Sequence, residues 1–483
     1  MLVSGMMEFY EFRIIDRNSE AAGVPVSRLM DNAGSVIARS IETYFPERTS
    51  VVFICGPGNN GGDGMTAALK VSAFRETVVV PASPDMVPKS EMLRQRYAAV
   101  SKLSSSLDVL DRIPPERLLI VDCLLGYGVD RPPEGRFLEL IEMMNSLRKK
   151  GAAVLAIDVP SGFPYPRHVL PDMTITFVDM KKGMDEESCG KVVVGDIGIP
   201  ETALNYTGPG DMLLYPVPSA ESHKGNNGIV TVIGGSIFPG APVFSSLAAY
   251  RTGADLVYTV VPSRMAGTVS SFSPNIMAFG FNEGELSEKT LNSIIHWIDR
   301  SNAVVIGPGT TYDSFNSVAE TLITRTDKPM VIDASAIETV GRRKDLLRGK
   351  KAVITPHAVE FLKLTGEMPG NSLEERKEKV QKWSAKIGAT ILLKGRIDIV
   401  SDGTRIKLNS TGNPGMTVGG TGDVLTGVVA ALMSKGLDPF NSARLGAYIN
   451  GSAGDICFRE KSYGLLSTDL IEAIPEVIRN SLS

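Results

Sequence analysis

The chain has 483 residues, 43% of them hydrophobic and 22% charged, with a net charge of −4. That length exceeds one ordinary core and predicts two or three domains. The charge balance gives no electrostatic case for nucleic acid or an anionic membrane. Cys55, Cys123, Cys189 and Cys457 are far apart and show no metal-ligand spacing, and the four histidines form no H-x₃₋₅-H pair, so neither a disulfide framework nor a zinc site is expected. No apolar run reaches about 18 residues, and Met1 to Met7 lack the basic and apolar regions of a signal peptide. A cytoplasmic protein is expected.

The first half alternates helical patterns, at 27–44 and 64–74, with short apolar runs at 51–55, 118–125, 154–159 and 174–178. That alternation predicts an α/β domain built on a mostly parallel sheet with helices on both faces, whose ligands bind beyond the carboxyl ends of the strands. The pattern breaks near Pro200 and Ser222, where Thr207-Gly208-Pro209-Gly210 and Pro216, Pro218 and Ser219 read as turn and linker. The expected domains are therefore 1–206 and 222–483, joined by a linker at 207–221. A second α/β alternation follows. Strands are expected at 228–235, 256–261, 303–306, 330–333, 352–355 and 390–394, helices at 244–252, 315–324 and 373–386, and a β-hairpin at 397–400 and 405–408. Three helices should close the chain.

The motifs sit where strands end. Gly56-Pro57-Gly58-Asn59-Asn60-Gly61-Gly62-Asp63-Gly64 follows a strand and opens a helix, which reads as a phosphate cradle, though its spacing is not that of a Rossmann dinucleotide loop. Asp122 and Asp158 fall at strand ends, and Ser161 follows shortly. A single Asp in such a place is about as often a helix cap. Asn60, Asp122 and Ser161 together offer only oxygen ligands, which suits a hard cation rather than zinc.

In the second half, Gly412-Asn413-Pro414-Gly415-Met416-Thr417-Val418-Gly419-Gly420-Thr421-Gly422-Asp423 leads into an apolar helix. The unbonded N–H groups of Gly420, Thr421 and Gly422 suit a phosphate, and Asp423 is then placed as a base rather than as the bound anion. An isolated Asp there would usually be a cap. Gly307-Pro308-Gly309, Thr355-Pro356-His357 and Leu393-Lys394-Gly395 each follow a strand as well. Read singly, His357 is a packed loop histidine and Lys394 a solvated lysine. The glycine beside Lys394 admits a ligand and favours phosphate there.

The first set of motifs, with Leu29-Met30-Asp31-Asn32-Ala33-Gly34, resembles the YjeF N-terminal family of NAD(P)H-hydrate epimerases over residues 8–205. The resemblance implies a potassium ion at Asn60, Asp122 and Ser161. It also implies substrate contacts at Asn59, Asn60, Gly61, Gly62 and Asp63, along Gly126, Tyr127, Gly128, Val129, Asp130, Arg131 and Pro132, and at Asp158, with Asp158 the acid–base group for inversion at C6 of the hydrated nicotinamide ring. Lys181 matches a lysine of the family. The loop after Ser161 is shorter than usual, and Lys182 stands where proline is common.

The second set, with His223-Lys224-Gly225, Val232-Ile233-Gly234-Gly235-Ser236 and Arg251-Thr252-Gly253-Ala254, resembles the ribokinase-like dehydratase family over residues 221–480. It implies ADP- or ATP-dependent dehydration of the S-form of NADHX and NADPHX, with ADP the expected donor. The hydrated nucleotide is expected near Ala254, Gly309, His357 and Asp423. The adenine nucleotide is expected at Lys394, Gly395, Arg396, Ile397 and Asp398 and at Gly420, Thr421 and Gly422. Magnesium accompanies the phosphates, and Asp423 is the general base. Arg396-Ile397-Asp398 replaces the small residues usual after Lys-Gly. A homo-oligomer is expected, with no nucleic-acid or membrane partner. Two other readings share some of these features: a vitamin-precursor kinase, which has the same Gly-Thr-Gly-Asp helix start, and a non-catalytic binding module for the first half.

Overall fold

The computed structural model describes residues 7–482 apart from 130, 237 and 283–287. The chain divides into two compact units, Met1–Leu204 and Asn205–Ser483.

In the first unit β1 (Ser50–Cys55), β2 (Glu76–Pro81), β3 (Leu118–Cys123), β4 (Ala153–Ile157), β5 (Met173–Phe177) and β6 (Lys191–Gly195) form one parallel sheet in the order β2-β1-β3-β4-β5-β6. Alternate residues of β1 feed different cores. Val51 and Phe53 join one hydrophobic cluster, while Val52 and Ile54 join another on the opposite face. A strand buried on both faces must be apolar at every position, which is why β1, β3, β4 and β5 are legible as unbroken runs. The sequence patterns missed β2 and β6, which lie at the sheet edges. In β6 Lys191 and Val194 are exposed and Val192 and Val193 half-buried, so the strand lacks the fully apolar character of the central ones.

The helix Val26–Tyr44 buries Leu29, Met30, Ala33, Ile37 and Ile41 along one stripe. Its Gly34 lets it press against the helix Asn59–Val71, since a Cβ there would stand 2.7 Å from the Thr66 Cγ2 methyl. That second helix begins earlier than expected. Only residues up to Gly58 form a loop, and Gly61, Gly62 and Gly64 are already helical.

The second unit holds β7 (Ile229–Ile233), β8 (Leu256–Pro262), β9 (Met277–Phe281), β10 (Ala303–Ile306), β11 (Met330–Ile332), β12 (Ala352–Ile354), β13 (Thr390–Leu393), β14 (Asp398–Ser401) and β15 (Ile406–Asn409). The order is β15-β14-β13-β12-β11-β10-β7-β8-β9, parallel except for the hairpin pairings of β14. Here too β10 serves two cores, with Val304 and Ile306 on one face and Ala303 and Val305 on the other. Edge strand β9 was not anticipated, because its residues are mostly half-exposed. The helices Thr421–Ser434, Pro439–Lys461 and Ser467–Leu482 close the chain as expected.

Part of the stretch expected to be a linker is built into this unit. The Thr207 N–H donates to the Leu408 carbonyl at 2.8 Å, residues Pro209–Leu214 form a 3₁₀ helix, and fully buried Asp211 pairs with fully buried Arg444 at 2.8 Å. Its polar, proline-rich composition resembles a linker, but an aspartate with a buried arginine partner belongs to a core.

Candidate functional site

In the first unit the carboxyl ends of β1, β3, β4 and β5 open onto a cavity of about 780 Å³. Of the expected substrate residues, Asn59, Asn60, Asp63, Gly126, Tyr127, Gly128, Val129, Arg131, Pro132 and Asp158 line it. Asp130 lies outside the described residues. Gly61 and Gly62 do not line the cavity and are packing positions instead. A Cβ on Gly61 would fall 1.9 Å from the Gly56 carbonyl oxygen, and one on Gly62 would fall 2.5 Å from Leu93 Cδ2. Their absent side chains make room for the loop and for Leu93.

Asp158 follows β4 with φ of 68°, a left-handed conformation that an aspartate adopts only when its surroundings hold it there. Its N–H donates to the Ile175 carbonyl at 2.7 Å, and its carboxylate accepts from the Lys181 ammonium. Lys181 is fully buried. It also donates to Thr176 Oγ1 at 2.6 Å and the Phe177 carbonyl at 3.0 Å, and it lies 4.3 Å from the centre of the Phe12 ring. Neighbouring Lys182 is exposed and pairs with Glu8, so burial separates two lysines that the sequence leaves equivalent.

Sequence reasoning gave no role to Asp16, on the helix Phe9–Ala21. It lines the same cavity and accepts from the Tyr127 hydroxyl at 3.3 Å. Burial, reinforced by the Asp158 charge, pushes Asp16 up to about 6 despite that hydrogen bond. Asp63 is pushed well above the ordinary carboxylate range by burial and by the charges of Asp158 and Asp16.

Beneath the cavity Asp122, Ser161 and Asn60 do converge. The Ser161 hydroxyl donates to Asp122 Oδ1 at 2.5 Å and the Ser161 N–H to Oδ2 at 2.8 Å. Asn60 Nδ2 donates to the Leu125 carbonyl at 2.9 Å, and the Leu125 N–H donates to Ser161 Oγ at 2.8 Å. Burial lifts Asp122 to about 6, outweighing the Ser161 and Leu124 hydrogen bonds. Asn60 Oδ1 is buried without a hydrogen-bond partner, an expensive state for an amide oxygen. An oxygen-only donor set, a buried carboxylate and an orphaned carbonyl fit a hard cation.

In the second unit Asp423 stands in the first turn of the helix Thr421–Ser434. The cap of that helix is Gly420 at φ of 100°, and no side chain accepts the first N–H groups. Asp423 is therefore not a cap. Burial raises it to about 7, with Asp333 and Glu360 adding to the rise and Lys394 opposing it. Lys394, at the end of β13, lies 3.3 Å from Asp333 Oδ1 and 3.7 Å from Glu360 Oε2, and 3.3 Å from where a Cβ on Gly422 would stand. Desolvation would lower its ammonium, but Asp333, Glu360 and Asp423 hold it raised. Asp333 and Glu360 received no role from the sequence; an Asp and a Glu just beyond two neighbouring strands were the available signal. Among the described residues no group of three acidic or thiol or imidazole ligands is close enough to hold a metal. A magnesium ion here fits only together with nucleotide phosphates.

His357 begins the helix Ala358–Thr365. Its Nδ1 accepts from the N–H groups of Val359 and Glu360, while Glu360 Oε2 accepts from the His357 N–H at 2.9 Å. Of the turn after β13, Gly395 N–H donates to Asp398 Oδ1 at 2.9 Å and Asn409 Nδ2 to Asp398 Oδ2 at 3.0 Å, so the Asp398 carboxylate braces the turn. Thr421 Oγ1 donates to the Met416 carbonyl at 2.9 Å, leaving backbone rather than hydroxyl as its contribution to an anion site.

Ala254 requires correction. It precedes β8, whose first residue pairs with the start of β7, so it stands at the amino edge of the sheet. Gly309 follows the carboxyl end of β10, on the opposite edge. Ala241 is the alanine at the site: its Cβ is 3.0 Å from where a Gly309 Cβ would be. A sequence match of Gly253-Ala254 could not distinguish the two ends of a strand.

Two mostly parallel sheets, each with raised carboxyls such as Asp122 and Asp423 beyond its strands, make this an α/β protein with two candidate active sites. Residues 26–183 match the family described as YjeF-related protein N-terminus and residues 230–476 the family described as NAD(P)H-hydrate dehydratase. The chain is 39% identical to the bifunctional NAD(P)H-hydrate repair enzyme of Pyrobaculum aerophilum, over 97% of this chain and 97% of that protein. It is 37% identical to that of Archaeoglobus fulgidus, over 98% and 99%. A crystal structure of a ribokinase-like superfamily protein from Enterococcus faecalis aligns with 57% of this chain and 96% of its own, at 26% identity and a TM-score of 0.51. The chain belongs to the family of bifunctional NAD(P)H-hydrate repair enzymes, with the epimerase domain first and the dehydratase domain second.

Proposed function

We propose that the chain returns hydrated NADH and NADPH to service in two steps, the first unit interconverting the R and S hydrates and the second dehydrating S with ADP as phosphoryl donor. The observation that carries the reading is Asp423. It is a carboxylate lifted to about 7, beside uncapped helix N–H groups and opposite Lys394. That arrangement combines a base with a phosphate site.

In the dehydratase unit Asp423 takes the proton of the C6 hydroxyl. The oxygen attacks the terminal phosphoryl group, and the N–H groups of Gly420, Thr421 and Gly422 with Lys394 hold the charge that develops. AMP departs as the C6–O–P ester forms. The C6–O bond then breaks, phosphate leaving as the ring nitrogen lone pair forms an iminium, and loss of a C5 proton to solvent restores the C5=C6 double bond. Asp333 and Glu360 keep Lys394 charged and aimed. Ala241, Gly309 and His357 bound the substrate side, and the turn 394–398 the adenine nucleotide. A magnesium ion, when bound with the nucleotide, neutralises its phosphates.

In the epimerase unit Asp158, oriented by Lys181, is the acid–base group at C6. Asn60, Asp122 and Ser161 would hold a potassium ion, which supplies positive charge beneath the cavity. We read the enzyme as a cytoplasmic homo-oligomer; no helix among the described residues is long and apolar enough to cross a membrane, and the four cysteines are unpaired and buried.

The test mixes R- and S-NADHX with protein, ADP, magnesium and potassium and follows NADH absorbance. Conversion of both epimers, limited to S in Asp158→Ala and abolished in Asp423→Ala, supports both halves. No conversion with ADP or ATP rejects the dehydratase reading, and conversion of S alone rejects the epimerase one.

A further inference from the structure

A carbon bearing both a hydroxyl and a ring nitrogen can invert by opening and reclosing its bond to that nitrogen, here C6–N1. Opening needs a base at the hydroxyl and an acid at N1. Asp158, paired with Lys181, supplies a base at the hydroxyl, and a carboxyl engaged there cannot serve N1 in the same step, so the acid is a second group. The same cavity holds another carboxyl. Asp16 lies one helical turn after Phe12, so both face the cavity, where Phe12 packs beneath Lys181 and against Tyr127 at 5.5 Å between ring centres. The Tyr127 hydroxyl fixes Asp16 Oδ2 at 3.3 Å. Asp158, Asp63, Lys181 and Tyr127 face Asp16 from the other elements, and Arg13 stands beside it on its own helix. Burial and the Asp158 charge lift Asp16 to about 6, so it exchanges protons readily near neutrality. Two carboxyls in one cavity with environments that differ in this way mark a division between acid and base.

Resting on the epimerase reading above, we propose that Asp16 is a second catalytic residue of the first unit, the acid that protonates the ring nitrogen while Asp158 takes the hydroxyl proton. On opening, the C6 hydroxyl proton passes to Asp158 and a C6=O bond forms. The C6–N1 electron pair moves onto N1, and the Asp16 proton follows it. Rotation about C5–C6 turns the other face of the aldehyde to N1. Closure runs both transfers in reverse, so each carboxyl ends as it began and no further reactant is consumed. Tyr127 is a positioning residue that keeps Asp16 turned toward the ring.

The full-length protein is incubated with purified R-NADHX and potassium without ADP, so that the dehydratase is silent, and S-NADHX is followed by chromatography above the spontaneous rate. Asp16→Asn should lower kcat on the order of 10²-fold with KM changed less than about threefold, and Asp16→Glu should restore roughly a tenth of the activity or more. The alkaline limb of the wild-type pH profile, where activity falls as Asp16 loses its proton near 6, should shift in Asp16→Glu. Asp16→Asn with wild-type kcat would overturn the proposal, and so would equal losses in both variants with a raised KM, since that marks a structural role. A wild-type protein that does not epimerise would instead remove the underlying epimerase reading.

Discussion

Lys394 reaches from the end of β13 past the intervening β12 to Asp333 at the end of β11, 3.3 Å away. Thr355, at the end of β12, donates its hydroxyl to the same Asp333 oxygen at 2.7 Å. Three consecutive strand ends are thereby tied into one charged floor beneath the glycine-opened helix. The lysine cannot swing away into solvent without leaving the buried Asp333 carboxylate partly unsatisfied.

That floor makes Asp423 the most sensitive residue of the second unit. Asp423→Asn preserves shape but removes the base, and kcat for S-NADHX should fall about 10²–10⁴-fold. R-to-S conversion by the same protein should stay within about twofold of wild type. Stopped time courses with and without ADP measure both in one preparation.

The raised Asp423 also sets a pH limb. Its base form must be ionised, so kcat should climb as pH rises and reach half its plateau near 7. Lys394 holds that value down, so at saturating nucleotide the limb in Lys394→Met should move to higher pH. A limb unmoved in that variant would separate Lys394 from Asp423. For stability the sign is opposite. The folded chain binds this proton more tightly than the unfolded chain, whose carboxyl titrates near 3.8. The contribution is present below that pH and is lost as pH rises through about 7.

Potassium dependence should reside in Asn60. Exchanging KCl for choline chloride at constant ionic strength should slow epimerisation in the wild type. Asn60→Ala should show little response to the exchange, because the buried amide oxygen beside Asp122 and Ser161 that lacks a partner has gone. A full potassium response in Asn60→Ala would place the ion elsewhere. Dehydration of pure S-NADHX serves as the internal control.

The Asp211–Arg444 pair anchors the segment after Tyr206 to the dehydratase core. Arg444→Met removes the cation paired with the buried Asp211 carboxylate, which keeps the Gly208 N–H as a donor, and should destabilise the second unit by about 3–5 kcal/mol. Adding Asp211→Leu should recover much of that loss. Calorimetry of the full chain reads both through the transition of the second unit. Equal stability of the single variant and wild type would show that water or other groups already satisfy Asp211.

Much of this architecture is legible without coordinates because strands buried on both faces must be continuous apolar runs, as in Val51, Val52, Phe53 and Ile54. Glycine and aspartate at their ends then stand out. Asp158, Asp122, Asn60 and Asp423 are visible for that reason, and so are the three closing helices. What the sequence could not decide depends on which residues distant in the chain become neighbours. Gly61 and Gly62 look like ligand-cradling glycines, but the Gly56 carbonyl and Leu93 fill the space beside them. Ala254 and Ala241 both follow a glycine, yet only Ala241 stands at the edge where Gly309 does. Lys181 and Lys182 differ by one position, and only folding buries the first against Asp158. Asp16 lies far from every motif in sequence, and the helix that carries it delivers it to the same cavity as Asp158. Local patterns determine which elements form, because burial and backbone conformation act over a few residues. The proton inventory of a site depends on charges and desolvation that only tertiary packing brings together.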